Sequence, residues 1–185
     1  MNTDTGQIIK DIGFVYQQQR RLAENAAGQL SDEEFFRALD AESNSVAVIM
    51  KHVGGNLRSR WTDFLTTDGE KPDRDRDGEF EIHAGDSRAA LMEKWQLGWT
   101  RVLGSLGGLT PADLAKTVHI RGKTWNVQAA IQAALSHTAQ HVGQIVYLAK
   151  HLRGTAWSTL SVPRAQSAQY NRMIQEQARA GDPTR

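Results

Sequence analysis

The chain carries six histidines and no cysteine, so a metal ion or an activated nucleophile would have to rely on imidazole and carboxylate. Disulfides, thiolate ligands and a cysteine nucleophile are excluded together. His137 and His141 stand four residues apart in LSHTAQHVGQIVYLAKHLRG. On a helix that spacing stacks two side chains one turn apart on one face, where they could grip a single ion. Both lie on or beside an apolar stripe, and an imidazole taken into a core without a partner leaves an unsatisfied polar group. A metal would satisfy both, although the pair alone also suits ordinary core or surface histidines. His52 adds a third imidazole, three residues after Ile49 and one before Val53, on the inward side of another long helical stretch. Three neutral imidazoles with an open fourth position make a competent site for zinc, nickel or iron.

The chemistry such a site supports is narrow. A divalent ion can lower the pKa of a bound water to near ~7, or hold an incoming thiol as its thiolate. Without cysteine, a thiol route needs a low-molecular-weight thiol from outside. His-Thr-Ala-Gln-His lacks the glutamate of the HExxH proteases, and no Glu-x-x-His pair marks a di-iron bundle. Asn56, Arg60 and Trp61 follow His52 on its helix and are the candidate substrate-binding residues at the mouth of the site, Arg60 as a bidentate partner for a carboxylate or phosphate. The plainer alternative for this stretch is a solvated helix end beside a salt-bridged loop. His83 falls in an acidic loop and His119 in a weak hairpin. His151 falls in the last turn of the final helix, where the dipole favours a cation. Trp95 and Trp99 read as core or dimer contacts.

The elements that must position these residues follow from hydrophobic periodicity. Ile8, Ile9, Ile12, Val15, Leu22 and Ala26 predict an amphipathic helix from about Asp4 to Gln29. Ser31 and Glu34 match a capping box opening a second helical region, broken near Asp40 to Ser43 and continuing through Leu65. Gly54 and Gly55 inside it cost ~1 kcal/mol each relative to Ala, which implies that something packs unusually close there. Thr66 to Gly85, rich in Asp, Gly and Arg, reads as a long loop of the kind that is often functional. Asp86 is the expected cap of a third helix, Ser87 to Leu106, stopped by Gly107 and Gly108. Thr110 and Pro111 open a short helical turn. Thr117 to Asn126 reads as a small hairpin around Arg121 and Gly122, and Val127 to Leu152 as the last long helix, ended by Gly154. Beyond it lies a polar extension with a short helix around Gln166 to Ala178 and a frayed end. The expected fold class is all-α, a four-helix bundle over residues 1–155 with a hairpin before its last helix, and with residues 156–185 packed on the same domain.

Composition narrows the partners. The 22 Lys and Arg against 21 Asp and Glu leave no net field to attract nucleic acid or an anionic membrane. No apolar run approaches the ~18 to 20 residues needed to span a bilayer, and MNTDTGQIIKDIGF has no signal-peptide pattern, so the expected location is the cytoplasm.

The His in IMKHVGGNLRSRW and the HxxxH in LSHTAQHVGQIVYLAKHLRG resemble the DinB/YfiT-like superfamily of metalloenzymes, over roughly residues 5 to 155. The string GGNLRSRWTDFLTTDGEKPDRDRDGEF looks like an uncharacterised branch rather than the thiol-transferase members. The resemblance implies a four-helix bundle, often a homodimer, with a divalent metal on His52, His137 and His141. Some relatives act on small molecules with thiols such as bacillithiol or mycothiol. The function expected is metal-dependent transfer of a small thiol to an electrophile, with hydrolysis as a variant. The competing class is a non-catalytic metal-binding or stress-response bundle acting through dimerisation or a protein partner.

Overall fold

In the computed structural model the described residues are 5–180; the expected start at Asp4 and the last residues of the expected frayed end, 181–185, lie outside them. The chain is mostly helical. Helices α1 (Thr5–Ala27), α3 (Val46–Trp61), α4 (Arg88–Gly108) and α5 (Val127–Arg153) are long, α2 (Asp32–Phe36) is a single short turn, and α6 is Ser167–Arg179. Strands β1 (Thr117–Ile120) and β2 (Lys123–Asn126) form an antiparallel hairpin with Val118 opposite Trp125. Arg121 and Gly122 both take positive φ at its turn, the conformation a tight two-residue hairpin needs. Among the described residues no helix is long and apolar enough to cross a membrane. The chain divides into two compact units after Gly154; in the second, no residue of α6 is buried.

Helix α3 packs most extensively on α4 and also on α5, while α1 packs on α4 and α5. Tyr16, Trp61, Trp95 and Trp99 are almost wholly buried between these helices. Tyr16 meets Trp61 edge-on at 5.7 Å, and Trp95 meets Trp99 at 5.4 Å, an arrangement that adds ring electrostatics to a large burial of apolar area. Trp95 also donates its indole N–H to Glu24 Oε1 at 3.0 Å. The two tryptophans of α4 are thus core residues.

The close approach that Gly54 implied is the α3–α4 crossing. A Cβ on Gly98 would sit 2.6 Å from the Gly54 carbonyl oxygen, and one on Gly54 would sit 3.1 Å from the Trp95 backbone. Backbone meets backbone there, so neither position has a flexible neighbour to yield.

Three expectations at the helix ends are corrected. The break expected near Asp40 to Ser43 is there but wider, because α2 stops at Phe36 and α3 starts at Val46, where Ser45 Oγ accepts from Val48 N at 3.2 Å. Asp40 folds the intervening chain by accepting from the amides of Glu42 and Ser43, a local turn that competes with helix. Helix α3 also ends at Trp61 rather than Leu65, with Asp63 at positive φ just beyond. Finally, Ser87 rather than Asp86 caps α4, accepting from Ala90 N at 3.2 Å.

Asp86 is instead the anchor of the long loop on α3. Its carboxylate meets Lys51 Nζ at 2.6 Å and accepts from His83 N at 3.0 Å. Burial alone would push the Asp86 carboxyl up; hydrogen bonds from Lys51, the His83 amide and Lys94 more than reverse this and hold it down at about 2.

Two outcomes follow from these contacts. Gly98→Ala should lower stability by about 2 kcal/mol or more through overpacking, read as a lower urea midpoint at unchanged slope. A midpoint equal to wild type would mean that α3 and α4 separate freely. The folded pKa of Asp86 lies below its unfolded value near ~3.9, so its stabilisation is present above that value and disappears as pH falls toward 2. The stability gap between wild type and Asp86→Asn, on the order of 2 kcal/mol at neutral pH, should therefore close in acid. A gap that does not change with pH would contradict the assignment.

Candidate metal centre

The contact of α3 with α5 brings His52, His137 and His141 together. His52 Nε2 lies 3.4 Å from His137 Nε2, and one potential ligand nitrogen from each of the three falls within 4.8 Å of the others. The rings of His137 and His141 are 4.6 Å apart, as the four-residue spacing requires, and His52 lies 4.9 Å from His141.

Two of the rings, His52 and His141, are oriented from outside the cluster. His52 Nδ1 is 2.9 Å from Glu79 Oε2. Burial pushes the Glu79 carboxyl up, but Arg74 and His52 outweigh it and keep it ionised. An ionised carboxylate can only accept, so Nδ1 carries a proton and Nε2 is the atom that faces the cluster. His141 Nδ1 faces Gln144 Oε1 at 2.8 Å. With the amide oxygen facing it, Nδ1 is the donor and Nε2 is again the free atom. Burial, reinforced by the neighbouring His141 and His52, pulls His137 down to about 4. Burial also lowers His141, opposed in part by Gln144. Uncharged imidazoles with inward lone pairs are the donor set that a borderline divalent ion takes. The residues present therefore fit a metal.

Glu79 arrives from the long loop, in a single 3₁₀ turn over Gly78–Phe80. Arg74 grips it with two 2.8 Å hydrogen bonds, Nε to Oε1 and Nη2 to Oε2, and turns its Nη1 to Glu70 at 3.1 Å. Arg121 reaches the same Glu70 at 3.3 Å. Gly55 makes room for this, since a Cβ there would lie 2.2 Å from Glu79 Oε1. The two adjacent glycines thus serve two neighbours, Gly54 the backbone of α4 and Gly55 the carboxylate. The loop is fastened further by Ser59, whose Oγ donates to Gly69 O at 3.0 Å and accepts from Lys71 N at 2.9 Å.

Beside the histidines lies a cavity of ≈ 440 Å³, whose wall includes His52, Asn56, Arg60, His137, Lys123 and Trp125. Asn56 and Arg60 are where the sequence puts them, one and two turns beyond His52. Trp61 is not at the mouth of the site. Nine residues at ~100° each place it about 180° from His52, in the aromatic core at 1% exposure. The aromatic residue on the cavity is Trp125 of β2. His83, His119 and His151 are exposed and stand apart from the cluster. Glu79, Arg74 and Trp125 were not singled out from sequence; the one signal for Glu79 was the glycine pair.

The arrangement defines a mostly helical protein in which three histidines from two helices could hold a metal ion. The chain belongs to the family described as "Protein of unknown function (DUF1572)", whose match spans residues 5–166. No curated protein matches it.

Arg74 and Glu79 are both buried, with side chains 2% and 8% exposed, and removing one partner of such a pair strands the other. Glu79→Ala should therefore cost on the order of 3 kcal/mol, measured by chemical denaturation. Gly55→Ala, which displaces the same carboxylate without removing it, should reproduce part of that loss. Full wild-type stability in both variants would refute the role given to this pair.

Proposed function

We propose that the protein is a divalent-metal-dependent enzyme of the DinB/YfiT-like kind, in which His52, His137 and His141 hold the ion and a small-molecule thiol is transferred to an electrophile. The observation that carries this reading is the set of three imidazoles within ligand distance, one of them fixed in its tautomer by a buried carboxylate. When bound, zinc, nickel or iron would supply a nucleophile at neutral pH by lowering the pKa of water or thiol. The chain's own contribution is positional. Glu79 keeps the proton of His52 on Nδ1, Arg74 keeps Glu79 ionised, and the cavity admits a substrate to the face that His52 and His137 share. In the transfer, the thiol proton leaves to solvent, the sulfur electron pair forms the new bond to the electrophilic carbon, and the bond from that carbon to its leaving group breaks, the leaving group departing with the electron pair.

The second reading is a metal held only for stability in a bundle that acts by dimerisation or through a protein partner. A purely structural site closes its fourth position with a protein ligand. Among the described residues only three donors cluster, and two of them line an open cavity, which favours the catalytic reading.

Elemental analysis of protein purified without a histidine tag tests the reading. Wild type should carry near-stoichiometric metal, His137→Ala should lose it, and Glu79→Gln should bind zinc on the order of 10- to 100-fold more weakly. Metal-loaded wild type should then accelerate conjugation of bacillithiol or mycothiol to a small electrophile. Wild type that takes up no zinc, nickel or iron would remove the site and the enzyme together. Stoichiometric metal with no acceleration by any cellular thiol, and none of hydrolysis, would leave the structural reading.

A further inference from the structure

The cavity beside the three histidines has a chemical character that metal binding does not use. Its wall carries Arg60, Arg76, Arg121 and Lys123 and not one Asp or Glu. Elsewhere in the fold arginines close on carboxylates: Arg58 on Asp73, Arg74 on Glu79, Arg88 on Asp32 and Arg153 on Glu34. In the cavity they largely do not. Arg121 reaches Glu70 from the rim at 3.3 Å, and Arg76 reaches only the fully solvated Asp77, at 3.7 Å. Among the described residues Arg60 and Lys123 make no ion pair, and Arg60 Nε is buried with no hydrogen-bond partner.

Asn56 lies on the same wall. Its residue is 7% exposed, yet its side-chain amide makes no hydrogen bond among the described residues. His52, Asn56 and Arg60 follow one another at four-residue steps, so α3 presents imidazole, amide and guanidinium as one column along the cavity.

Buried polar groups and cations are normally paired. A guanidinium nitrogen buried without a partner, on a wall that also carries the Asn56 amide and three further cations, describes a place prepared for an anion. A guanidinium is suited to this, because its planar fork matches the two oxygens of a carboxylate or phosphate and it is weakly hydrated. Converging cations in a low-dielectric recess also raise the local concentration of anions. Trp125, half-buried on β2, offers an apolar face to the rest of the ligand, and a cavity of ≈ 440 Å³ is the size of a small-molecule site.

We propose that the cavity binds a small organic oxyanion, a carboxylate or phosphate ester, anchored by Arg60, with Asn56 between the anion and the three histidines and Trp125 against its apolar body. Its orientation toward the histidines rests on the metal reading above; its binding to the cationic wall does not. The acidic end would then stand about 12 Å of helix rise from His52, two turns along α3, leaving the reactive end of the same molecule free to reach the cluster.

The test is a titration of the full chain, followed through the indole N–H resonance of Trp125, assigned with Trp125→Phe, with metal content measured on the same samples. Benzoate, phenyl phosphate and the neutral benzamide are the probes. At least one anion should shift the resonance saturably with a millimolar or tighter Kd, and benzamide should bind on the order of tenfold more weakly. The tighter of the two anions identifies the group as carboxylate or phosphate. Arg60→Gln should weaken anion binding by about tenfold or more at unchanged metal content. Lys123→Gln, at an exposed strand position, should weaken it a few-fold, and added salt should do the same. Equal binding of benzamide and the anions, saturation by none of the three, or undiminished anion binding in both variants would overturn the proposal. Protein that binds the anions but takes up no metal would sink the metal reading alone; protein that loads metal but ignores the anions would sink this one alone.

Discussion

The site depends on one buried ionic contact, the carboxylate of Glu79 held between Arg74 and His52. Taking a carboxylate out of water is costly unless its oxygens are satisfied, and here one oxygen takes Arg74 Nε while the other takes Arg74 Nη2 and His52 Nδ1. Much else in this part of the molecule is arranged so that the contact can exist. The long Asp- and Arg-rich loop has to leave α3, turn, and come back over it to deliver Arg74 and Glu79. Lys51, Arg58 and Ser59 on α3 tie the loop down at Glu81 and Asp86, at Asp73, and at Gly69 and Lys71. Gly55 lacks a side chain where the carboxylate must lie.

Helix α3 is consequently used on every side, and nearly all its residues are buried. Gly54, Leu57 and Trp61 serve the crossing with α4 and the aromatic core. Lys51, Gly55 and Arg58 serve the loop, and His52, Asn56 and Arg60 serve the histidine cluster and cavity. A helix committed in this way has little rotational freedom. A turn of α3 that relieved the Gly54–Gly98 contact would also carry His52 away from Glu79 and from α5. Packing at the crossing and geometry at the histidines are therefore one constraint, although the residues concerned share no hydrogen bond.

What the sequence reveals of this follows from the range of each interaction. The long helices, the hairpin turn and the His137–His141 pair depend on neighbours within a turn or two, and periodicity exposes them. His52 was legible because it interrupts an apolar face. The partners of His52 were not, because Arg74 and Glu79 act from an aperiodic loop in which acidic and basic residues alternate, and nothing local tells a buried pair from a solvated one. Trp61 adjoins Arg60 in sequence but not in space, because the helix turns it to the far side. Asp86 looked like a cap; the adjacent Ser87 could do that work, and Lys51, 35 residues away, needed a carboxylate. The family match spans the helices and hairpin that build the site, but its description assigns no chemistry, so the reaction has to be argued from the site itself.

Electrostatics around the histidines indicates what remains to be supplied. Glu79, Arg74, Glu70 and Arg121 form an alternating chain of charges running from His52 to the hairpin, and they cancel along its length. A divalent ion placed among the three rings would add positive charge beside a wall that already has unpaired cations at Arg60 and Lys123. Protein carboxylates near that wall are occupied or solvated: Glu70 and Glu79 by Arg74, Asp77 in water. Balance in such a recess comes from the ligand. A thiol held as thiolate and an acid group at Arg60 would each bring one negative charge to the place where the chain provides none, so the proposed reaction and the proposed anion site draw on the same excess of positive potential.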